Sequence, residues 1–523
     1  MSQTTTRFKQ FQNLYQDSVK LMQLGAMLRA RDGIDQASCL MATPANLAQL
    51  VHADLAITTT AAVSDLLVVV RGEAAACDEA IAAASEELLS VGKRNDAGGA
   101  TAFEMPLTSL ALGIERAGSA DLALISVPGD YAGAEAMKAL ALGLHVMLFS
   151  DNVSVAEELE IKTFARARDL LVMGPDCGTA IVNGVPLGFA NVVRRGDIGV
   201  VAASGTGLQE LSCRIHNQGG GISQALGTGG RDLSEAIGGI TMLQGLAALA
   251  ADSQTRVIVL VSKPPAPAIA RRIEAAAAAA GKPVVLHFLG STAESLPPGL
   301  HAASSLCHAA DLALAQARGV PLPTADIGDA EVAHLEQWCA AMAPSQREVR
   351  GLFTGGTFCY EAQLTFIAHG LGCSSNAPVS GASAADRQGH RFIDMGADDH
   401  TRGRPHPMID PSQRDAAVRA LGADANVAAI VFDLVLGFGS HDDPAAGLAL
   451  ALADAQRQAL EQGRSLALIG HVCGTDGDPQ GKAGQVRALQ AAGALIVGSN
   501  VEAAELAARL AARLDRPLPQ RRI

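Results

Sequence analysis

The feature that most restricts this chain is a series of wholly apolar runs, each followed by a helical stretch. From Asp121 onward "LALISVP", "HVMLFS" and "LLVMGPDCG" are spaced by helices, and the rhythm restarts at Gly196 with "GDIGVVAASGTG", "GISQALGTGG", "RVIVLVSKPP" and "PVVLHFLG". A third series starts near Arg350 with "RGLFTGGTFCYEAQL" and continues through "AAIVFDLVLGFGSHDDP", "SLALIGHVCGTDGDPQ" and "ALIVGSNVEAAELAARL". Runs without alternation suit strands buried on both faces, and strands spaced by helices imply parallel sheets. Hydrophobic residues make up 49% of the chain but aromatics only 3%, so the cores must be packed from Ala, Leu, Val and Ile.

The 523 residues suggest three or four domains. Residues 1–95 read as a small α+β cap, with "ASCLMATP" and "DLLVVVRG" as strands and "DSVKLMQLGAMLRA" and "CDEAIAAASEELL" as helices; the polar, Gly-rich "GKRNDAGGATAFEMP" ends it. Boundaries at 118–192, 196–322 and 345–516 follow from the restarts of the rhythm, with "RGVPLPTADIGDAE" as a linker and "DRPLPQRRI" as a tail. The net charge of -13, without any block of Lys or Arg, argues against nucleic acid or a membrane surface as a partner. Nine scattered cysteines with no C-x-x-C pair fit a reducing compartment. No signal-peptide core and no run of about 18 apolar residues is present, so a cytoplasmic enzyme is expected.

Two glycine turns stand out. Ser204, Gly205, Thr206 and Gly207 follow one apolar strand, and Gly437, Phe438, Gly439 and Ser440 follow another. Such turns let backbone approach a ligand, and a helix starting there offers free N–H groups and its positive dipole end to an anion. Neither completes G-x-G-x-x-G, because Glu210 and Asp442 hold the third position, and no G-x-x-x-x-G-K-[ST] occurs. The pattern therefore favours phosphate over a dinucleotide. Lys263 in "LVSKPP", Arg231 and Asp232 in "GTGGRDL", and Arg404 and His406 in the proline-stiffened "GRPHPMIDP" (Gly403 to Pro411, with Arg402 and Asp410 beside them) are candidate substrate contacts. Asp176 and Cys177 form a further pair after a Gly-Pro turn. Asp476 and Asp478 in "GTDGDPQ" read as turn formers, and no metal site is expected.

"GPDCGTAI", "GDIGVVAASGTGLQEL" and "GKPVVLHFLG" resemble the α subunit of succinyl-CoA synthetase; "FIDMGADDHTR", "VFDLVLGFGSHDDP" and "LIGHVCGTDGDP" resemble the C-terminal domain of its β subunit. Their order on one chain, with the cap and the "GRPHPMIDP" segment, resembles the FdrA family. The resemblance implies Rossmann-like and flavodoxin-like doubly wound α/β domains behind a small N-terminal α+β domain: a degenerate CoA-binding-like domain over 118–192, and ligase domains over 196–322 and 345–516. It also implies that the two turns hold one phosphate between them. The phosphohistidine loop of the synthetase has no room in "ESLPPGLHAASSLCHAADLALA", which contains His301 and His308, and Lys263 stands where the synthetase has a glutamate that supports that histidine. Neither Thr43 to Asn46 nor Val127 to Gly129 offers the glycine-rich CoA loop, and no ATP-grasp segment occurs. What the FdrA resemblance implies is a subunit of an oxamate carbamoyltransferase, with phosphate and carbamoyl phosphate as substrates, other subunits or a homo-oligomer as partners, and no certain cofactor. An acyl-CoA synthetase and a non-catalytic anion-binding scaffold are the alternatives.

Overall fold

A computed structural model describes residues 4–90, 107, 109–291, 296–322, 329–384, 389–401 and 404–515. Arg402, Gly403, the break at 92–106, the linker core at 323–328 and most of the C-terminal tail lie outside the described residues. The chain forms two compact units, residues 1–172 with 398–410, and 173–397 with 411–523.

The first unit opens with an antiparallel sheet in which Leu66–Gly72 lies between Thr5–Phe11 and Ile34–Met41. Leu66 to Val70 are fully buried because this central strand is covered on both faces. Helices Ser18–Arg29 and Ala74–Ser90 supply Leu21, Leu24, Leu28, Ala80 and Ala84 to its core. A second, parallel sheet takes Leu122–Ile125 and His145–Leu148, linked by helix Gly129–Ala141. The helix that follows, Val155–Arg166, starts on a capping box in which Ser154 and Glu157 each bond the other's backbone N–H.

The second unit contains two seven-stranded sheets. In the first, parallel strands run in the order Leu300–Ala302, Val284–Phe288, Val257–Ser262, Arg195–Ala202 and Ile222–Gly227. In the second they run Leu495–Val497, Ala467–Cys473, Val427–Val435, Glu348–Phe353 and His390–Asp394. The strand order is the same, so the two ligase-like halves are structural repeats. Helix Gly205–Asn217 in one corresponds to Gly356–Ala368 in the other. All nine residues of Val427–Val435 are buried, as the apolar reading of "VAAIVFDLV" requires.

Two boundaries differ from the sequence expectation. Strands Thr179–Val182 and Val185–Gly188 extend the first seven-stranded sheet, through Ile181 opposite Ala225, so the break falls near 173 and not at 192. Residues 398–410 belong to the N-terminal unit, where Asp410 pairs with Arg29 at 2.5 Å.

Candidate functional site

Strand Arg195–Ala202 delivers Ser204 in an extended conformation, from which its Oγ accepts the Gly207 N–H at 2.9 Å and caps the helix. The N–H groups of Gly205 and Thr206 have no acceptor among the described residues, so two donors point out of the helix end where its dipole is positive. Glycine is needed at 207, since a Cβ there would lie 2.7 Å from Ser204 Oγ.

A second helix end meets this one, and it is not the turn expected. Ser204 Oγ lies 2.5 Å from Thr357 Oγ1, and a Cβ on Gly355 would lie 3.0 Å from Thr206 Cγ2. Gly355 caps helix Gly356–Ala368, so the N-termini of two repeat-related helices abut. The signal was in the sequence as a shared spacing: Gly-Thr then Glu, at Gly205, Thr206 and Glu210 and again at Gly356, Thr357 and Glu361.

Two buried carboxylates attend the second helix end only. Asp433 accepts from the Thr354 N–H (2.7 Å), the Thr354 hydroxyl (2.9 Å) and the Gly355 N–H (2.7 Å). Asp394 accepts the Gly396 N–H at 2.9 Å, and its Oδ2 would lie 2.7 Å from a Cβ on Gly356. Burial raises the Asp394 carboxyl above its usual range and Asp433 adds to the rise, while Lys263 opposes it. Burial likewise raises Asp433, against the Thr354 and Gly355 bonds and the Arg414 charge. Of the candidate residues, Lys263 is the one whose charge lowers the Asp394 carboxyl.

The Gly437 to Ser440 turn, expected as the second cradle, is partly tied to its neighbours. Gly437 N–H donates to Gln480 Oε1 at 3.0 Å, Phe438 N–H to the Ala190 carbonyl at 2.9 Å, and Ser440 N–H to the Gly437 carbonyl at 3.4 Å. Three of its backbone donors are engaged, whereas the Gly439 N–H and the buried Ser440 hydroxyl have no partner among the described residues, and the helix behind it starts only at Pro444. In the repeat it occupies the position of Lys263 to Pro265, after the strand next to the one that ends in the glycine cap. Gly437 (φ +116°) is required because a Cβ would lie 2.6 Å from the Ala190 carbonyl, and Gly439 (φ +79°) packs against Phe189.

The remaining candidates separate. Asp232 is buried and caps helix Ile240–Ala251, its oxygens accepting from Thr241 N–H (3.1 Å) and Met242 N–H (2.9 Å), whereas its neighbour Arg231 is exposed. The two residues therefore serve different environments. Cys177 is buried, its thiol 3.5 Å from the Thr179 carbonyl. It lies with Asp176 in a loop interlocked with Gly227 and Gly229, where added Cβ atoms would lie 2.5 Å from Cys177 Sγ and 2.3 Å from the Pro175 carbonyl. Arg404 and His406 fall in the N-terminal unit; burial pushes His406 down to about 4, and its Nδ1 accepts the Met408 N–H at 3.2 Å. His301 lies in strand Leu300–Ala302, and His308 Nδ1 accepts the Ser304 N–H at 3.1 Å. Asp476 accepts the Ala483 N–H, and Asp478 is a buried hub bonding Asn191, Val192 and Thr475. Among the described residues no group of His, Cys, Asp and Glu could hold a metal ion, and no helix is long and apolar enough to cross a membrane.

Sequence reasoning also missed a buried polar layer between the repeats. His471 Nε2 meets Glu210 Oε2 at 2.7 Å, and Glu361 accepts from Asn500 Nδ2 (2.8 Å) and the Leu306 N–H (3.2 Å). Cys213 and Cys473 are buried beside the first pair.

Residues 352–510 match the family described as CoA-ligase, 193–290 the CoA binding domain, and 3–104 "AllF, heavy metal-associated domain". Among the described residues of the third match no group could hold a metal ion: Cys39 and Cys77 are buried in the core, and burial drives the Cys39 thiol to about 12. Protein YahF of Escherichia coli (strain K12) is 41% identical over 503 residues, covering 95% of this chain and 96% of that one. The α subunit of succinate–CoA ligase [ADP-forming] of Staphylococcus aureus is 26% identical over 186 residues, 34% of this chain and 59% of that subunit. Among solved structures, the apo dinucleotide-forming acetyl-coenzyme A synthetase 1 of Ca. Korarchaeum cryptofilum aligns over 82% of this chain and 93% of its own, at 17% identity and a TM-score of 0.31.

Proposed function

The chain belongs to the family of the Escherichia coli protein YahF, and from that premise we propose that it is the phosphate-binding subunit of a carbamoyltransferase. The reaction is cleavage of oxalurate, or a similar ureido acid, by phosphate to oxamate and carbamoyl phosphate. The observation that carries the reading is the Ser204 to Gly207 helix end, with unengaged N–H groups at Gly205 and Thr206 and the Thr357 hydroxyl against its cap. Phosphate held there gains roughly 0.3–1 kcal/mol from each helix dipole it meets, more where water is excluded. A phosphate oxygen then attacks the carbamoyl carbon directly, so catalysis rests on positioning and charge stabilisation with no phosphorylated protein intermediate. The FdrA-like order of motifs is what implies carbamoyl transfer in ureide breakdown. The chain works in the cytoplasm with other subunits of the transferase or with copies of itself.

A second reading, an acyl-CoA synthetase of the NDP-forming type, is favoured by the CoA-ligase and CoA-binding matches. One experiment separates them. The purified complex is given oxalurate and phosphate, and in parallel ATP labelled at the γ-phosphate with succinate and CoA. Carbamoyl phosphate in the first vessel and no acid-labile label on protein in the second is expected; the reverse pattern would establish the synthetase.

A further inference from the structure

The two abutting helix ends are repeat-related but chemically unlike. At Gly205 the backbone donors are open. At Gly356 the first helical N–H groups, of Gly356 and Thr357, likewise have no acceptor among the described residues, but the chain has brought its own carboxylates there: Asp433 takes the N–H groups of Thr354 and of the cap Gly355, and Asp394 Oδ2 sits where a side chain at 356 would have to go. Consecutive glycines make this approach possible, since a Cβ on Gly355 would lie 3.1 Å from Asp433 Oδ2 and one on Gly356 2.7 Å from Asp394 Oδ2. A phosphate at this second end would face two carboxylates, and like charge disfavours it. A neutral amide N–H is what a carboxyl pair can receive.

We propose that the Gly355–Gly356 end is the amide half of the active site and that Asp394 is a catalytic residue, the acid that protonates the nitrogen leaving as oxamate. This deepens the carbamoyl-transfer reading and rests on it. Phosphate on Gly205 and Thr206 lies one hydroxyl contact, Ser204 to Thr357, from the turn that Asp394 flanks. As the phosphate oxygen bonds to the carbamoyl carbon, the carbon–nitrogen bond breaks and its electron pair takes the proton of the Asp394 carboxyl. The proton carried by the attacking hydrogen phosphate returns to Asp394, leaving the carboxyl ready for another turnover. The charged and titratable groups around Asp394 are Lys263, Asp433 and Cys359, with Arg414 beyond Asp433. Burial and Asp433 raise its carboxyl, while the Gly396 N–H and Lys263 oppose the rise.

The test uses the full chain with its partner subunits. Phosphate binding is measured by calorimetry, and turnover of oxalurate is followed from about pH 5 to 9, for wild type and Asp394→Asn. The wild type should bind one phosphate per chain. D394N should bind it with a dissociation constant within about threefold, while kcat falls about 10²- to 10³-fold and the alkaline limb of its pH profile disappears. Two phosphates per chain, wild-type turnover in D394N, or loss of phosphate binding in D394N would each overturn the assignment. If both proteins bind phosphate and neither makes carbamoyl phosphate, the carbamoyl-transfer reading fails and takes this inference with it.

Discussion

His471 and Glu210 join the two ligase-like repeats through a buried bond of 2.7 Å between Nε2 and Oε2. Glu210 is on the helix that starts at Gly205, and His471 is on a strand of the other repeat. Burial alone would raise Glu210, but the His471 and Lys482 charges and the His471 bond outweigh it, leaving the carboxyl below its usual range. A lowered carboxyl contributes stability above its unfolded value and loses it as pH falls through the folded one. Glu210→Gln should therefore cost about 1–3 kcal/mol in urea unfolding at pH 7, with the gap to wild type closing below about pH 4. A gap unchanged down to pH 3 would mean that the charge of Glu210 contributes nothing.

The Ser204–Thr357 contact predicts coupling between the repeats at the site itself. Ser204→Ala removes both this contact and the helix cap, at about 0.5–2 kcal/mol of stability. Thr357→Val removes only the contact. A double-mutant cycle on phosphate affinity should give an interaction of about 0.5–3 kcal/mol. Simple additivity would show that the two helix ends act independently.

Glycines at the two turns should fail in different ways. Gly437→Ala forces a Cβ at φ +116° to within 2.6 Å of the Ala190 carbonyl, so it should lower the melting temperature by several degrees. Gly205→Ala meets only Thr179 Oγ1, at 3.3 Å, and should fold near normally. Its methyl group crowds the phosphate instead, and binding should weaken at least tenfold. Normal phosphate binding by refolded or low-temperature G437A would agree with its turn being structural; loss of phosphate by a stable G437A would return that turn to the site.

These contrasts mark where the sequence is readable. Buried parallel strands such as "VIVLVS" and "VAAIVFDLV" announce themselves because both faces are covered, so the α/β class and the rhythm follow directly. The partner of the first cradle was harder to see. Its strand Glu348–Phe353 begins with charged residues, and Arg350 is buried with Glu348 and the Val349 and Gly389 carbonyls as its partners. "GFGS" at 437–440 reads as an equivalent glycine turn, but its Gly437 and Phe438 donors go to Gln480 and Ala190, which are distant in sequence. Asp232 was ambiguous for the same reason: its partners, Thr241 and Met242, lie beyond a loop. Local pattern reveals which turns could bind an anion, and tertiary hydrogen bonds decide which ones keep their donors free.

Glu361, at the repeat-related position to Glu210, should show the opposite pH response. Burial raises its carboxyl to about 7, only partly offset by Asn500 and the Leu306 N–H. Between the unfolded value near 4.5 and about 7 the folded state holds the extra proton. Stability therefore falls as pH rises through this window and is flat above it, with a slope limited to about 1.4 kcal/mol per pH unit for one group. Glu361→Gln removes the titration while keeping an acceptor for one of the two donors. Urea midpoints at intervals from pH 5 to 8 should decline in wild type and stay nearly level in E361Q, after allowing for a constant offset from the altered hydrogen bond. Parallel pH curves would place the Glu361 titration outside this range, and Glu210 and Glu361 would then share one charge state despite their different partners.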